Sequence, residues 1–374
     1  MGGQSEHEAD PRHRRKIAPA NSRRHVGILP GMELGLYTFV PAAVSPEGRM
    51  LDADRRLEEL LDQAVLAEQV GLDVIGVGEH HRPDFVVSTP AVVLAAIAAR
   101  TSRVKLTSAV TVLSSDDPVR VFQEFATLDL LSKGRAEITA GRGSFIESFP
   151  LFGYDLDDYH ELFAEKLELL LTLRANERVT WRGQFRAPLE DQPVYPRPLQ
   201  DPLPVWIAVG GTPQSVARAA QLGLPLAIAI IGGQWRPFQA FTGLYRDLIT
   251  KAGHESTARL SINSHGIIAE SREAAIEAYW PNYFTMMGRL GRERGWPPPT
   301  RAKFEAECGP EGALFVGDPE QIAQKIAAQH RVFGHDRFTL QMSLGPGNQE
   351  AVLRSIELFG TKVAPIVREL MAPV

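Results

Sequence analysis

The chain has 374 residues, a net charge of −5, 44% hydrophobic and 23% charged residues, the balance of a globular protein that buries a large core. Such a charge excludes a strongly basic surface for nucleic acid or membrane, and the single cysteine, Cys308, excludes an internal disulfide or cysteine-cluster metal site and fits a reducing cytoplasm. No uncharged apolar run reaches the ~18 residues of a membrane span; the best, residues 219–233, is interrupted by Gln221 and Pro225.

Residues 7–24 carry Arg12, Arg14, Arg15, Lys16, Arg23 and Arg24 with almost no large apolar side chain. A signal peptide would continue into an apolar stretch of ~7–15 residues, and Ile28-Leu29-Pro30-Gly31 is too short for that. Residues 1–31 therefore read as a disordered leader, or as translation assigned upstream of a start at Met32. They offer little to bury, so they are expected to be dispensable for stability.

From Met32 onward, short β-branched runs alternate with helical patterns. Strands are expected at 33–39, 74–78, 104–113, 135–140, 205–209, 226–231, 260–268 and 337–342, and helices at 55–70, 90–99, 118–131, 159–173, 213–222, 235–252, 319–330 and 349–370. The strands are almost wholly apolar, as strands covered on both faces are. In 55–70, Leu57, Leu60, Leu61, Ala64, Leu66 and Ala67 approximate one helical face. Eight βα pairs in order predict a closed (β/α)8 TIM barrel over 32–374 rather than an open doubly wound sheet. Two connections exceed the usual few residues and are expected to be long loops, one after the fourth helix and one after the seventh strand. Segment 176–204 holds a hairpin-like run and six prolines; segment 279–317 carries Trp280, Tyr283, Phe284, Met286, Met287, Trp296 and three consecutive prolines.

Barrel enzymes place their chemistry at the C-terminal strand ends. The second strand ends Gly78-Glu79-His80-His81. Adjacent residues on extended chain point to opposite sides, so the two histidines make no metal clamp. One of them facing the mouth is a candidate acid/base or hydrogen-bond donor, with a structural pair as the alternative. The fourth strand ends Gly141-Arg142-Gly143-Ser144; Ile146 stands where a dinucleotide fingerprint needs its last glycine. These glycines make either a tight turn or a close approach to an anion held by the guanidinium. After the fifth strand, Gly210-Gly211-Thr212-Pro213-Gln214-Ser215 starts a helix, with Thr212 at the N-cap and Pro213 at the first position. Together with Arg142, this helix start describes a pocket for one phosphate.

The motif order resembles the bacterial luciferase-like family of flavin-dependent monooxygenases. Matching segments are Gly78-Glu79-His80-His81, Thr107-Ser108-Ala109-Val110, Asp117-Pro118-Val119-Arg120, Asp129 to Arg135, Gly141-Arg142-Gly143-Ser144, Leu151-Phe152-Gly153 and Val316-Gly317-Asp318-Pro319-Glu320. The resemblance implies a barrel that binds reduced FMN, which reacts with O2 to oxygenate a small organic substrate. It implies that His80 is catalytic and that Ala109-Val110 is a cis non-proline peptide beneath the flavin ring. Arg142, Gly143, Ser144, Gly210, Gly211, Thr212 and Ser215 would hold the phosphate side, and the Gly232-Gly233 pair would let the ring or substrate approach closely. It also implies a homodimer, with helices 55–70 and 118–131 available to bury a second face.

Two departures matter. Gly141 stands where the light-emitting enzymes carry a reactive cysteine, and the Gly210-Gly211 pair replaces an acidic residue of luciferase, so bioluminescence is not expected. No glycine cluster fits a nicotinamide-binding turn followed by an acidic residue ~20 positions on, so a separate reductase is expected to supply reduced FMN. A deazaflavin hydride-transfer enzyme and a non-catalytic flavoprotein are the alternatives, the first wanting more basic residues at the mouth than Arg142 alone.

Overall fold

The computed structural model describes residues 31–346 and 348–372; the expected leader lies outside the described residues except for Gly31. Eight strands form the barrel: β1 (Glu33–Thr38), β2 (Val74–Val77), β3 (Lys105–Ser108), β4 (Ala136–Gly141), β5 (Val205–Val209), β6 (Leu226–Ile230), β7 (Leu260–Ile268) and β8 (Arg337–Gln341). Each pairs in parallel with its neighbours. β8 pairs with β1 and β4 with β5, so the sheet closes on itself with no free edge.

Helices α1 (Ala53–Gln69), α2 (Pro90–Arg100), α3 (Pro118–Ser132), α4 (Tyr159–Ala175), α5 (Pro213–Gln221) and α6 (Gln239–Lys251) lie in the connections. Apolar side chains of strands and helices form one large core, from Leu34 and Ile75 to Leu340 and Val367. Sequence chemistry sets the helix starts. Asp117 accepts from the amides of Val119 and Arg120, at 2.8 and 3.2 Å, with Pro118 occupying the first position where no N–H is needed.

The family-specific stretch from Asp129 to Arg135 does structural work. The Asp129 carboxylate is fully buried and accepts from Ala136 N, Gln200 N and Gln200 Nε2. Arg135 reaches the carbonyls of Ala98, Thr101 and Val104. At the opposite end of the barrel from the strand C-termini, buried Arg337 pairs with Glu137 and Glu33 and lies 4.5 Å over the Trp206 ring.

Three expectations are corrected. The run at 104–113 is not one strand: β3 stops at Ser108, the Ala109-Val110 peptide is cis, and a short strand follows at Thr111–Val112. Segment 279–317 is largely helical rather than a loop, with α7 (Arg272–Arg294), α8 (Arg301–Cys308) and a strand at Phe315–Gly317 paired to β7. Pro281 lies inside α7, and Tyr279, Tyr283, Phe304 and Cys308 bury a second apolar cluster whose packing outweighs its cost. The last helical stretch contains a π-type segment at Phe359–Val363 between α-helices Gln349–Leu358 and Ala364–Leu370. After α4, Arg178–Trp181 and Leu189–Pro193 form the expected antiparallel hairpin.

Candidate active site at the barrel mouth

Side chains alternate along a strand. Gly76, Thr107, Thr139, Trp206, Ala227, Ser261 and Thr339 line one small internal cavity. Two residues further on, the same inward rows present Gly78, Ala109, Gly141, Ala208, Ala229, Asn263 and Gln341 at the mouth. In β5 and β6 only Ala208 and Ala229 are partly exposed, and in β7 only Asn263. Most of the floor is therefore glycine and alanine, residues that project little into the mouth.

His80 rises beside this floor in an aromatic cage. Its ring stacks on Phe39 at 4.4 Å, meets Phe85 at 4.4 Å and takes the Phe145 ring edge-on at 4.6 Å. Burial first, then the positive charge of Arg82 and neighbouring His81, pushes its pKa down to about 3. The imidazole is thus neutral at working pH. His81 points elsewhere, edge-on to Phe152 at 5.2 Å, as the alternation of adjacent residues requires.

Burial also lowers His265, fully enclosed behind the mouth, to about 4, and His335 to about 3. Each of the three binds its proton in the unfolded chain near its ordinary value but not in the folded one. Their contribution to stability therefore rises with pH between about 3 and 6.5 and is lost as pH falls through that window. Urea melts at pH 4.5 and 7 are expected to show the lower midpoint at pH 4.5, and equal midpoints would contradict the burial of these rings.

The expected phosphate residues meet across two strand ends. Arg142, after β4, donates from Nη2 to the Thr212 hydroxyl after β5 at 3.1 Å, and its Nη1 lies 2.9 Å from His160 Nδ1. The guanidinium also sits 5.1 Å over the Tyr159 ring, whose hydroxyl donates to the Gly143 carbonyl at 2.7 Å. Thr212 makes no side-chain cap bond, so its hydroxyl is free for Arg142 or a ligand. A Cβ at Gly210 or Gly211 would meet no other atom within 4 Å, and the same holds at Gly232 and Gly233 after β6. Arg218, one turn into α5, is near enough that Arg142, after burial, lowers its pKa.

Ser215 is buried in the first turn of α5, its amide bonded to the Thr212 carbonyl. Ser144 is exposed, and its carbonyl accepts from Arg294 at 3.0 Å; no hydrogen bond among the described residues joins it to Arg142 or Thr212. Ala109 and Val110 form the cis peptide at the floor. Sequence reasoning missed His160, Tyr159, Arg218 and the cage residues Phe39, Phe85 and Phe145. Only Tyr159 and His160 carried a signal, as a polar pair opening the fourth expected helix.

Gly141 explains why no cysteine stands there: a Cβ would lie 2.6 Å from Val110 Cγ2 and 3.0 Å from Val110 Cβ. Gly141→Ala is expected to cost about 1–3 kcal/mol of stability through overpacking. An unchanged denaturation midpoint would show that Val110 moves aside freely.

Above the cage, Arg82 gathers three carboxylates: Asp84 at 3.1 Å, Glu147 at 2.6 Å and Glu293 at 2.6 Å. Arg289 on α7 bridges Asp84 and Glu293. The insertion after β7 is therefore fastened over the side of the mouth where His80 stands.

The chain is similar to proteins of two chemistries. An F420-dependent glucose-6-phosphate dehydrogenase of Kribbella flavida is 32% identical over 339 residues, covering 83% of this chain and 95% of that protein. The crystal structure of monooxygenase RslO1 from Streptomyces bottropensis matches with a TM-score of 0.77 at 25% identity, over 89% of this chain and 99% of that one. The oxygenating constituent of 3,6-diketocamphane monooxygenase from Pseudomonas putida, in complex with FMN, shares the fold at a TM-score of 0.71 and 17% identity, over 90% of this chain and 99% of that one. A family model described as luciferase-like monooxygenase matches residues 32–336, and the chain belongs to that family.

Proposed function

We propose that this protein is an FMN-dependent monooxygenase acting on a small organic substrate. The observation that carries the reading is the convergence of Arg142 and Thr212 beside the open Gly210-Gly211 turn and the start of α5. That arrangement fits one phosphate, next to a glycine and alanine floor that fits a flat ring. Arg142, Gly143, Ser144, Gly210, Gly211, Thr212 and Ser215 would hold the phosphate end. Ala109, Val110, Gly232 and Gly233 would border the ring.

Reduced flavin, when bound, supplies the electrons that activate O2. The chain's own part is to orient the substrate, exclude water with the Phe39, Phe85 and Phe145 cage, and hold or move a proton at the neutral His80 imidazole. The electrons come from a separate reductase. Anaerobic stopped-flow mixing of the FMN-loaded protein with NADH and NADPH is expected to leave the flavin oxidised. Rapid bleaching by either nucleotide alone would overturn the two-component reading. The protein acts as a cytoplasmic homodimer, which sedimentation at micromolar concentration tests.

Arg218 favours a second reading. A deazaflavin carries a longer anionic tail, and Arg142 with Arg218 offers it two cations rather than one. Mass spectrometry of released cofactor separates the two, as does absorbance near ~450 nm for FMN or ~420 nm for a deazaflavin. Bound FMN with substrate-dependent O2 uptake supports the first reading; a bound deazaflavin with none replaces it.

A further inference from the structure

We propose that Glu79 is a positioning residue: its carboxyl accepts the Val112 amide and so fixes the segment 109–112 against the residue next to His80. This rests on the proposed use of that segment as the support of the cofactor ring.

The carboxyl is buried, 5% exposed, and Val112 N donates to its Oε1. The next amide along, Leu113 N, bonds to the Gly141 carbonyl at 3.0 Å, so Glu79 supplies the acceptor that the broken strand does not. A buried amide left without one is costly. The two segments are pressed together besides. Ala109 N donates to Val77 O at 2.9 Å, and Gly78 has no room for a Cβ because the Phe39 ring and the Ala109 carbonyl crowd it, while Gly78 N and His80 N are anchored on Thr38 O and Val87 O at 2.9 and 3.0 Å. Residues 78–80 and 109–112 thus form one block, and the Glu79 side chain is its polar link. A shift of that block would move the histidine relative to the floor.

The charges around Glu79 decide its form. Burial, with Asp116 before α3 and Glu124 on α3, pushes its pKa up to about 8. Arg120 on α3 and Lys166 on α4 face Asp116 as counter-charges, and Lys166 Nζ donates to the Ser114 carbonyl at 2.8 Å. The carboxyl is therefore neutral at pH 7, and glutamine is its close substitute. Its proton is held more tightly folded than unfolded, so its own contribution to stability falls as pH rises from about 4.5 to 8. Glu79→Gln removes that loss.

The test titrates wild type, Glu79→Gln and Glu79→Ala with FMN and, separately, with a deazaflavin, following visible absorbance, and melts all three at pH 6 and pH 9. Expected are a Gln variant that binds like wild type, and an Ala variant that binds about tenfold or more weakly with an altered spectrum, the loss of a buried hydrogen bond. The melting point of the Gln variant relative to wild type should also rise from pH 6 to pH 9. An Ala variant with wild-type affinity and spectrum overturns the proposal, as does a Gln variant as impaired as the Ala one. Should the Ala variant not fold, the Gln variant against wild type decides by the same affinity and melting criteria. If wild type binds neither cofactor, the proposed function falls. The melts then judge Glu79 alone: an Ala variant as stable as the other two at pH 6 overturns the hydrogen bond's role.

Discussion

His80→Ala is expected to keep its cofactor and lose most of its turnover, by about 10²–10⁴-fold, the usual contribution of a positioned acid or base. The proposed phosphate residues Arg142 and Thr212 lie after β4 and β5, whereas His80 follows β2, and no hydrogen bond among the described residues connects them. Binding and chemistry should therefore separate: cofactor titration unchanged, kcat reduced. The pH profile sharpens the expectation. A pKa near 3, set by burial and by Arg82 and His81, leaves the ring neutral throughout the working range. The wild-type rate should show no break near pH 6.5 from this residue. Wild-type turnover in the variant would remove His80 from the mechanism, and a break near 6.5 that vanishes with it would show that the cage hydrates when substrate binds.

Arg142→Ala is expected to weaken cofactor binding by about 1.5–3 kcal/mol, the range for a hydrogen bond to a charged group. The guanidinium is already held by Thr212, His160 and the Tyr159 ring, so the proposed phosphate would meet a pre-organised group. Arg142→Lys should recover only part of the loss, because a point charge cannot span Thr212 and a phosphate in one plane. Calorimetric titration with FMN and with riboflavin, which lacks the phosphate, checks the assignment. The variant should lose affinity for FMN and not for riboflavin. Equal losses for both would place Arg142 at the ring instead.

Much of this was legible in the residue order. Apolar runs buried on both faces, alternating with helical patterns, determined a closed parallel barrel, because period and burial leave few other packings. The glycines around Arg142 and the Thr212-Pro213 helix start were legible as local backbone chemistry, and the structure brings Arg142 and Thr212 within hydrogen-bond reach. The alternation of adjacent residues by itself separates His80 from His81.

What the sequence by itself could not decide depends on contacts between distant segments. The 279–317 segment reads as a loop because of its length, its aromatic residues and three consecutive prolines, and only the buried faces of Tyr279, Tyr283 and Phe304 make most of it helical. The cage around His80 draws Phe39, Phe85 and Phe145 from three strand ends. Arg218 and His160 join Arg142 only because side chains of α4 and α5 meet beside the turn after β4, where Arg218 also lies 5.4 Å over the Phe163 ring. The depressed His80 and the raised Glu79 follow from burial, a property that a residue acquires only when the rest of the chain has closed around it.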